Sequence, residues 1–122
     1  MKKLLLMLGL IAIAYPLEVS ARDLVKLGET NDGRADYVWQ DSIRRNGNIV
    51  WWRNERVKYG SDGRLEEHLI ADFSGDCQNM TSRLQKLYDQ ITGESFLKPG
   101  ALRSNPPESI GFVTIKYVCS QK

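Results

Sequence analysis

The sequence predicts one small exported domain built mainly of antiparallel strands. Two alternating segments, 36–45 and 48–57, flank Asn46-Gly47, a dipeptide that is the strongest short-range signal for a β-hairpin. A third strand-like run extends over 64–73. After removal of a leader the chain keeps about 100 residues, which is enough for a single domain with one modest core.

The beginning of the chain has the three parts of a secretory signal peptide. A basic start at Lys2 and Lys3 precedes an uncharged apolar run over 4–17, and small residues then end at Ala21, where cleavage is expected. A membrane span needs about 20 apolar residues, and Pro16 shortens this run further. The pattern therefore favours a cleaved leader over a membrane-spanning helix.

We accordingly divide the chain into a signal peptide, 1–21, and a mature domain, 22–122, that does not span a membrane. No cysteine follows the apolar run, so the usual attachment point of a bacterial lipid anchor is missing. The expected location is periplasmic or secreted, without a lipid anchor.

Charge excludes one class of partner. Loss of Lys2, Lys3 and Glu18 with the leader lowers the formal net charge from +2 to +1. A near-neutral exported domain lacks the positive excess through which proteins usually bind nucleic acid, so we expect no nucleic-acid partner.

Cys77 and Cys119 are the two cysteines of the chain, and 42 positions separate them. In an oxidising compartment an even pair in a small domain is most simply one disulfide. The alternative, a catalytic thiol, needs a basic partner, for which the sequence offers His68. The disulfide is favoured, and closing such a loop contributes about 4 kcal/mol in the chain-entropy account.

The hairpin register decides which side chains are buried. A loop at Asn46-Gly47 pairs Arg45 with Asn48, and alternation then sorts the side chains onto two faces. The expected core face carries Tyr37, Trp39, Ile43, Val50 and Trp52. The opposite face carries Val38, Gln40, Ser42, Arg44, Ile49, Trp51, Arg53 and Glu55. Trp52 should therefore be buried and Trp51 more exposed.

The second face is the candidate binding surface. We assign its contact residues as Trp51, Arg53, Arg44, Ile49 and Val38, because an apolar centre with arginine at its rim is typical of protein–protein contacts. The alternative is a solvated face on which Arg53 simply covers Trp51. A second copy of the chain is the simplest partner, which predicts a homodimer.

The remaining segments are read from turn residues and periodicity. A short strand over 24–27 should end at Gly28, and Ser74-Gly75-Asp76 should break the third strand. Residues 78–91 fit a helix or a strand equally well. Pro106-Pro107-Glu108-Ser109 resembles a helix start, whereas the β-branched content of 110–118 favours a strand.

Catalytic and metal-binding motifs are missing from the sequence. His68 stands alone between Glu67 and Leu69 without the spacing of a metal site, and no G-x-S-x-G, H-E-x-x-H or P-loop occurs. We therefore expect no enzyme activity, no metal and no cofactor. A hydrolase with an unfamiliar site stays open as a third hypothesis and would need carboxylates such as Glu66 or Asp72 in a cleft.

The order of these features resembles a known family. The residues that carry the resemblance are Tyr37, Asp41-Ser42-Ile43, Asn46-Gly47-Asn48, Val50, Trp52, Asp76-Cys77, Arg83, Tyr88-Asp89, Gly93, Pro106-Pro107-Glu108-Ser109 and Cys119. Following a signal peptide, this order is similar to the surface-adhesin protein E-like family of small exported bacterial proteins. The resemblance extends over 23–119.

The resemblance implies the complete fold class, which is α+β. It implies an antiparallel sheet of about six strands with a C-terminal helix packed on one face, tethered to the sheet through Cys77 and Cys119. It also resolves the two ambiguous segments, since 78–91 becomes a strand and 107–119 a helix.

The resemblance further implies a non-enzymatic envelope protein, an adhesin-like binding module whose partners are host or envelope macromolecules. The alternative function is a periplasmic inhibitor of an enzyme such as lysozyme or a protease. Small disulfide-bonded β domains suit that role, because a rigid scaffold can present a loop such as 60–63 or 94–105.

Overall fold

A computed structural model describes residues 23–121 of the chain, so the predicted leader, 1–21, lies outside the described residues. Eight strands, one 3-10 turn and one α-helix form this part of the chain. The strands are β1 (Leu24–Glu29), β2 (Arg34–Trp39), β3 (Arg44–Asn46), β4 (Ile49–Tyr59), β5 (Leu65–Asp76), β6 (Thr81–Asp89), β7 (Ser95–Phe96) and β8 (Arg103–Ser104). The 3-10 turn is Gln40–Ser42, and the helix, α1, is Ile110–Ser120.

Six of the strands follow one another across a single antiparallel sheet in the order β1-β2-β4-β5-β6-β7. The short strands β3 and β8 pair with β4 and β6 respectively, and the sheet curls into a half-barrel. The predicted antiparallel sheet of about six strands with a C-terminal helix is thereby confirmed. The ambiguous segment 78–91 contains strand β6, as the family resemblance implies.

The turn of the hairpin lies one residue later than predicted. Asn46 pairs with Ile49, so Gly47 and Asn48 form the two-residue loop, and the predicted pairing of Arg45 with Asn48 is wrong. Gly47 has a φ of 63°. A glycine at the first loop position suits a turn that needs positive φ there. Relative to the predicted register, each residue of β3 pairs with a residue two positions further along β4. Because this shift is even, the side chains of β4 stay on the predicted faces.

The faces of β2 are the reverse of the prediction, and the 3-10 turn is the cause. Arg44 lies opposite Trp51 in β4. If the same register continued into β2, Val38 would lie three residues beyond Asn54 along β4, but its actual partner is Asn54. The turn takes up this odd number of residues, which moves every side chain of β2 to the other face. Val38 is fully buried, and the expectation that Tyr37 and Trp39 line the core face is wrong.

The 3-10 turn is fixed to its neighbours by side chains. The Ser42 hydroxyl donates to Trp39 O at 2.6 Å and accepts from the backbone N–H of Arg53 at 2.8 Å. Gln40 accepts a hydrogen bond from the Tyr117 hydroxyl, and its amide donates to Gln121 Oε1 at 3.1 Å. These bonds join the edge of the sheet to the C-terminal end of the chain.

Two glycines expected to end strands lie inside them instead. Gly28 belongs to β1, and a Cβ there would lie 2.1 Å from Ile110 Cδ1. Gly75 belongs to β5, and a Cβ there would lie 2.4 Å from Ile115 Cδ1 and 3.1 Å from Trp52. Each glycine marks a close approach of α1 to a strand rather than a turn.

The buried core joins the sheet and the helix. Its members, all almost fully buried, are Val38, Val50, Trp52, Ile115 and Val118. The Trp52 ring stacks on Phe73, with centroids 5.4 Å apart. The predicted disulfide between Cys77 and Cys119 is present, and both cysteines pack against this core.

Helix α1 begins at Ile110, three residues after the start that the resemblance implies, so Pro107 and Glu108 lie before the helix and not in its first turn. Ser109 is the N-cap, and its hydroxyl oxygen accepts a hydrogen bond from Phe112 N at 3.1 Å. The strand alternative for 110–118 is therefore wrong, because burial of Ile115 and Val118 on one side of a helix outweighs the weak strand preference of β-branched residues. Within residues 23–121, none of the helical structure has the length and apolar character that crossing a bilayer requires.

Candidate binding surface

The outer face of the sheet is defined by Ile49, Trp51, Arg53 and Glu55 of β4, which point away from the core. Ile49 and Trp51 keep 38% and 43% of their surface exposed, although both belong to a central strand. Arg44, directly opposite Trp51 on β3, is exposed as well. Four of the five predicted contact residues are thus brought together.

Val38, the fifth predicted contact residue, does not belong to this surface. It is 0% exposed and lies in the core with Val50 and Trp52. Trp39 takes its place on the outer face, because the three-residue 3-10 turn reverses the faces of β2. The 3-10 turn contains glutamine and serine but neither glycine nor proline, the residues that usually indicate a turn in a sequence.

Arg53 is held in place from three sides. Its Nε and Nη2 donate to the two carboxylate oxygens of Asp72 at 2.7 Å and 3.0 Å. The guanidinium carbon lies 5.1 Å from the centroid of the Trp39 ring and 5.7 Å from that of Tyr88. The bond to Asp72 raises the pKa of Arg53 above its ordinary value. The guanidinium is therefore charged and preorganised between two aromatic rings.

Glu55 lies beneath this arrangement and is only 6% exposed. Its Oε1 accepts from Trp39 Nε1 at 2.9 Å, and its Oε2 lies 2.6 Å from His68 Nε2. A carboxylate so buried needs such partners, because its desolvation is otherwise unfavourable. The predicted register does not contain this network, because only the observed faces of β2 bring Trp39 close to Glu55.

A shallow cavity of about 380 Å³ opens beside Trp51. Its charged lining residues are Arg44, Arg53, Asp72 and Lys86. Because Asp72 is paired with Arg53, Arg44 and Lys86 leave the depression positive beside the Trp51 indole, a combination that can bind a carboxylate-bearing protein surface.

The side chains considered as catalytic groups form bonds or ion pairs with other residues of the protein. Both cysteines are in the disulfide, so the thiol alternative that needed His68 is wrong. Asp72 binds Arg53, and Glu66 lies on the surface with its carboxylate 3.5 Å from Lys58 Nζ. Across residues 23–121, His, Cys, Asp and Glu side chains nowhere gather in a group of three or more that could hold a metal ion.

Comparison with known proteins gives no relative for this chain. No family model matches it, and neither a curated protein nor a solved structure matches it.

Proposed function

We propose that this protein is a non-catalytic binding module of the bacterial envelope, which contacts host or envelope macromolecules through the outer face of its sheet. The observation that carries the proposal is the fixed Arg53 beside the exposed Trp51. Tryptophan and arginine dominate the energetics of protein interfaces, and an arginine already held by Asp72 loses little side-chain entropy when a partner binds.

Export is part of this proposal. The disulfide between Cys77 and Cys119 supports an oxidising compartment, in which such bonds persist. The signal-peptide pattern of the sequence supports the same location, and so does the resemblance to the surface-adhesin protein E-like family. Together these features favour a periplasmic or secreted protein.

We further infer that α1 packs on the inner face, the face of Val50 and Trp52, with the disulfide as its tether. Full burial of Ile115 and Val118 in the same cluster supports this arrangement. So does the absence of a side chain at Gly75, which leaves room for Ile115. A helix on the inner face leaves the outer face available to a partner.

A periplasmic enzyme inhibitor is the second candidate function, and the strap favours it. The strap, 94–105, is exposed along most of its length and presents Phe96, Leu97 and Leu102 with more than half of their surface in solvent. Both of its ends pair with β6. A loop anchored in this way is suited to insertion into an active site.

Two matched aromatic truncations separate these functions. The mature protein and its Trp51→Ala and Phe96→Ala variants are immobilised and exposed to envelope extract, to host matrix components and to lysozyme. The outer-face proposal expects a matrix or envelope macromolecule to be retained by the wild type and by Phe96→Ala but lost with Trp51→Ala. Capture and inhibition of an enzyme that is lost only with Phe96→Ala would instead establish the inhibitor.

A further inference from the structure

The inner face of the sheet holds a cavity that the outer-face function does not use. This inner cavity has a volume of about 450 Å³, within the range of small-molecule sites. It continues into a smaller depression of about 280 Å³ beside the start of α1. Five residues line both parts, namely Asn54, Arg56, Phe73, Ser82 and Arg103.

The floor of the inner cavity is apolar. Side chains of β5 and β6 form it, and they are Leu69, Ala71, Phe73, Leu84 and Leu87. The strap forms a wall through Gly100, Ala101 and Arg103, and the Gly100 N–H donates to Leu84 O at 2.7 Å. An alkyl chain placed between floor and wall would lose contact with water on most of its sides, which is favourable for an apolar group.

The charged groups of the inner cavity are unbalanced. Asp36 is 2% exposed, and its Oδ1 accepts a hydrogen bond from Arg56 Nε at 2.7 Å, which balances those two charges. Among the described residues, no ion pair is formed by Arg103. Two arginines against one aspartate leave the lining with one positive charge.

Two neutral polar groups of the lining use their oxygen atoms within the protein. Asn54 Oδ1 accepts from Trp52 Nε1 at 2.6 Å, and Ser82 Oγ accepts from Asn105 Nδ2 at 3.1 Å. Selection of an anion over a cation by this cavity depends mainly on its arginines, which carry the positive charge of the lining.

We propose that the inner cavity binds a single-chain amphipathic carboxylate. Its alkyl chain lies on the leucine-rich floor, and its carboxylate contacts Arg103, whose charge is not balanced by an ion pair among the described residues. Arginine is suited to this contact because its planar guanidinium can donate two parallel hydrogen bonds to one carboxylate. The site is separate from the outer face, so a ligand there need not compete with a macromolecular partner.

The test is calorimetric titration of the mature protein with octanoate, octyltrimethylammonium and acetate. Octanoate should bind once per chain, while the cation of equal chain length and the anion without a chain should bind at least tenfold more weakly. Absence of saturable octanoate binding, or equal binding of octanoate and the cation, overturns the proposal.

Variants then assign the site. Arg103→Gln changes an exposed side chain on β8 and should weaken octanoate binding about tenfold or more. Lys116→Gln, the matched loss of charge on the exposed side of α1, should leave it unchanged.

Ala71→Leu fills the cavity and should weaken octanoate binding to a similar extent, with circular dichroism confirming the fold. Wild-type affinity in Arg103→Gln overturns the proposal even where Ala71→Leu fails to fold. Trp51→Ala should bind octanoate normally, which separates this test from that of the outer face.

Discussion

The two adjacent tryptophans of β4 have opposite environments because a strand alternates its side chains between two faces. Trp52 is almost fully buried against Phe73, whereas Trp51 is exposed. Trp52→Ala should lower the free energy of unfolding by about 3–5 kcal/mol, since it removes a large buried ring and leaves a cavity. Trp51→Ala should lower it by less than about 1 kcal/mol.

Urea denaturation followed by circular dichroism measures both variants without depending on indole fluorescence. Each variant is the positional control of the other, because both remove the same side chain from neighbouring residues of one strand. A larger loss with Trp51→Ala than with Trp52→Ala would contradict the assignment of the two faces.

Gly75 is important because a side chain would not fit at this position, and not because its backbone needs a conformation that favours glycine. A Cβ there would lie 2.4 Å from Ile115 Cδ1, so Gly75→Ala should destabilise the protein by about 1–3 kcal/mol through overpacking. Gly100→Ala is the control, because its Cβ would lie 3.7 Å from Leu84, an ordinary contact.

The identity of the clashing atom gives the Gly75 prediction a second measurement. Ile115→Val removes Cδ1 itself, so the double variant Gly75→Ala, Ile115→Val should be more stable than the sum of the two single effects. Thermal or urea unfolding of the four proteins gives this coupling energy. Strict additivity would show that Ile115 does not limit the space at Gly75.

At the scale of elements, the sequence predicts those strands in which core-facing and solvent-facing side chains alternate without interruption. The alternation of β4 predicted burial of Val50 and Trp52 correctly, since its faces survive the even shift at the Gly47 turn. The faces of β2 could not be predicted, because the 3-10 turn over Gln40–Ser42 has ordinary composition and depends on tertiary bonds to Arg53 and Tyr117.

The candidate site was predictable to the same degree as the strands that build it. Trp51, Arg53, Arg44 and Ile49 were found because three of them lie on β4 and the fourth lies on β3 next to its turn. Val38 was misplaced, and the contacts of Glu55 with Trp39 and His68 were missed, because both depend on the reversed faces of β2. The pattern Ser74-Gly75-Asp76 predicts a break rather than a strand, because the sequence does not show that Ile115 approaches Gly75.

The disulfide connects the end of α1 to the β5–β6 turn, and its loss should act on the helix first. Cys77→Ala, Cys119→Ala should lower the free energy of unfolding by about 4 kcal/mol, the entropy of a 42-residue loop in the unfolded chain. Native-state hydrogen exchange should show the amides of α1 losing more protection than those of β4, which stays paired on both sides.

Val113→Ala on the exposed side of α1 is the control for the disulfide variant, and it should leave the exchange of β4 and α1 nearly unchanged. Equal loss of protection in β4 and α1 would show that the helix and sheet unfold as one unit, without a separate role for the tether.

At the scale of the whole molecule, the chain has two faces with different chemistry. The inner face carries the core and the inner cavity, and the outer face carries exposed Ile49 and Trp51 next to a fixed Arg53. The macromolecular contact proposed for the outer face and the carboxylate ligand proposed for the inner cavity would therefore lie on opposite faces of the same strands.

Self-association is the simplest use of the outer face, since a sheet face can pair with its own copy about a two-fold axis. Sedimentation velocity of the mature protein over a range of concentrations should show a monomer–dimer equilibrium. Trp51→Ala should shift that equilibrium towards monomer by about tenfold or more, because central tryptophans carry much of the energy of such contacts. Val113→Ala removes a side chain of comparable exposure from α1 and should leave the equilibrium unchanged. A wild-type protein that stays monomeric at the highest concentration would exclude the homodimer and leave the outer face to a different macromolecule.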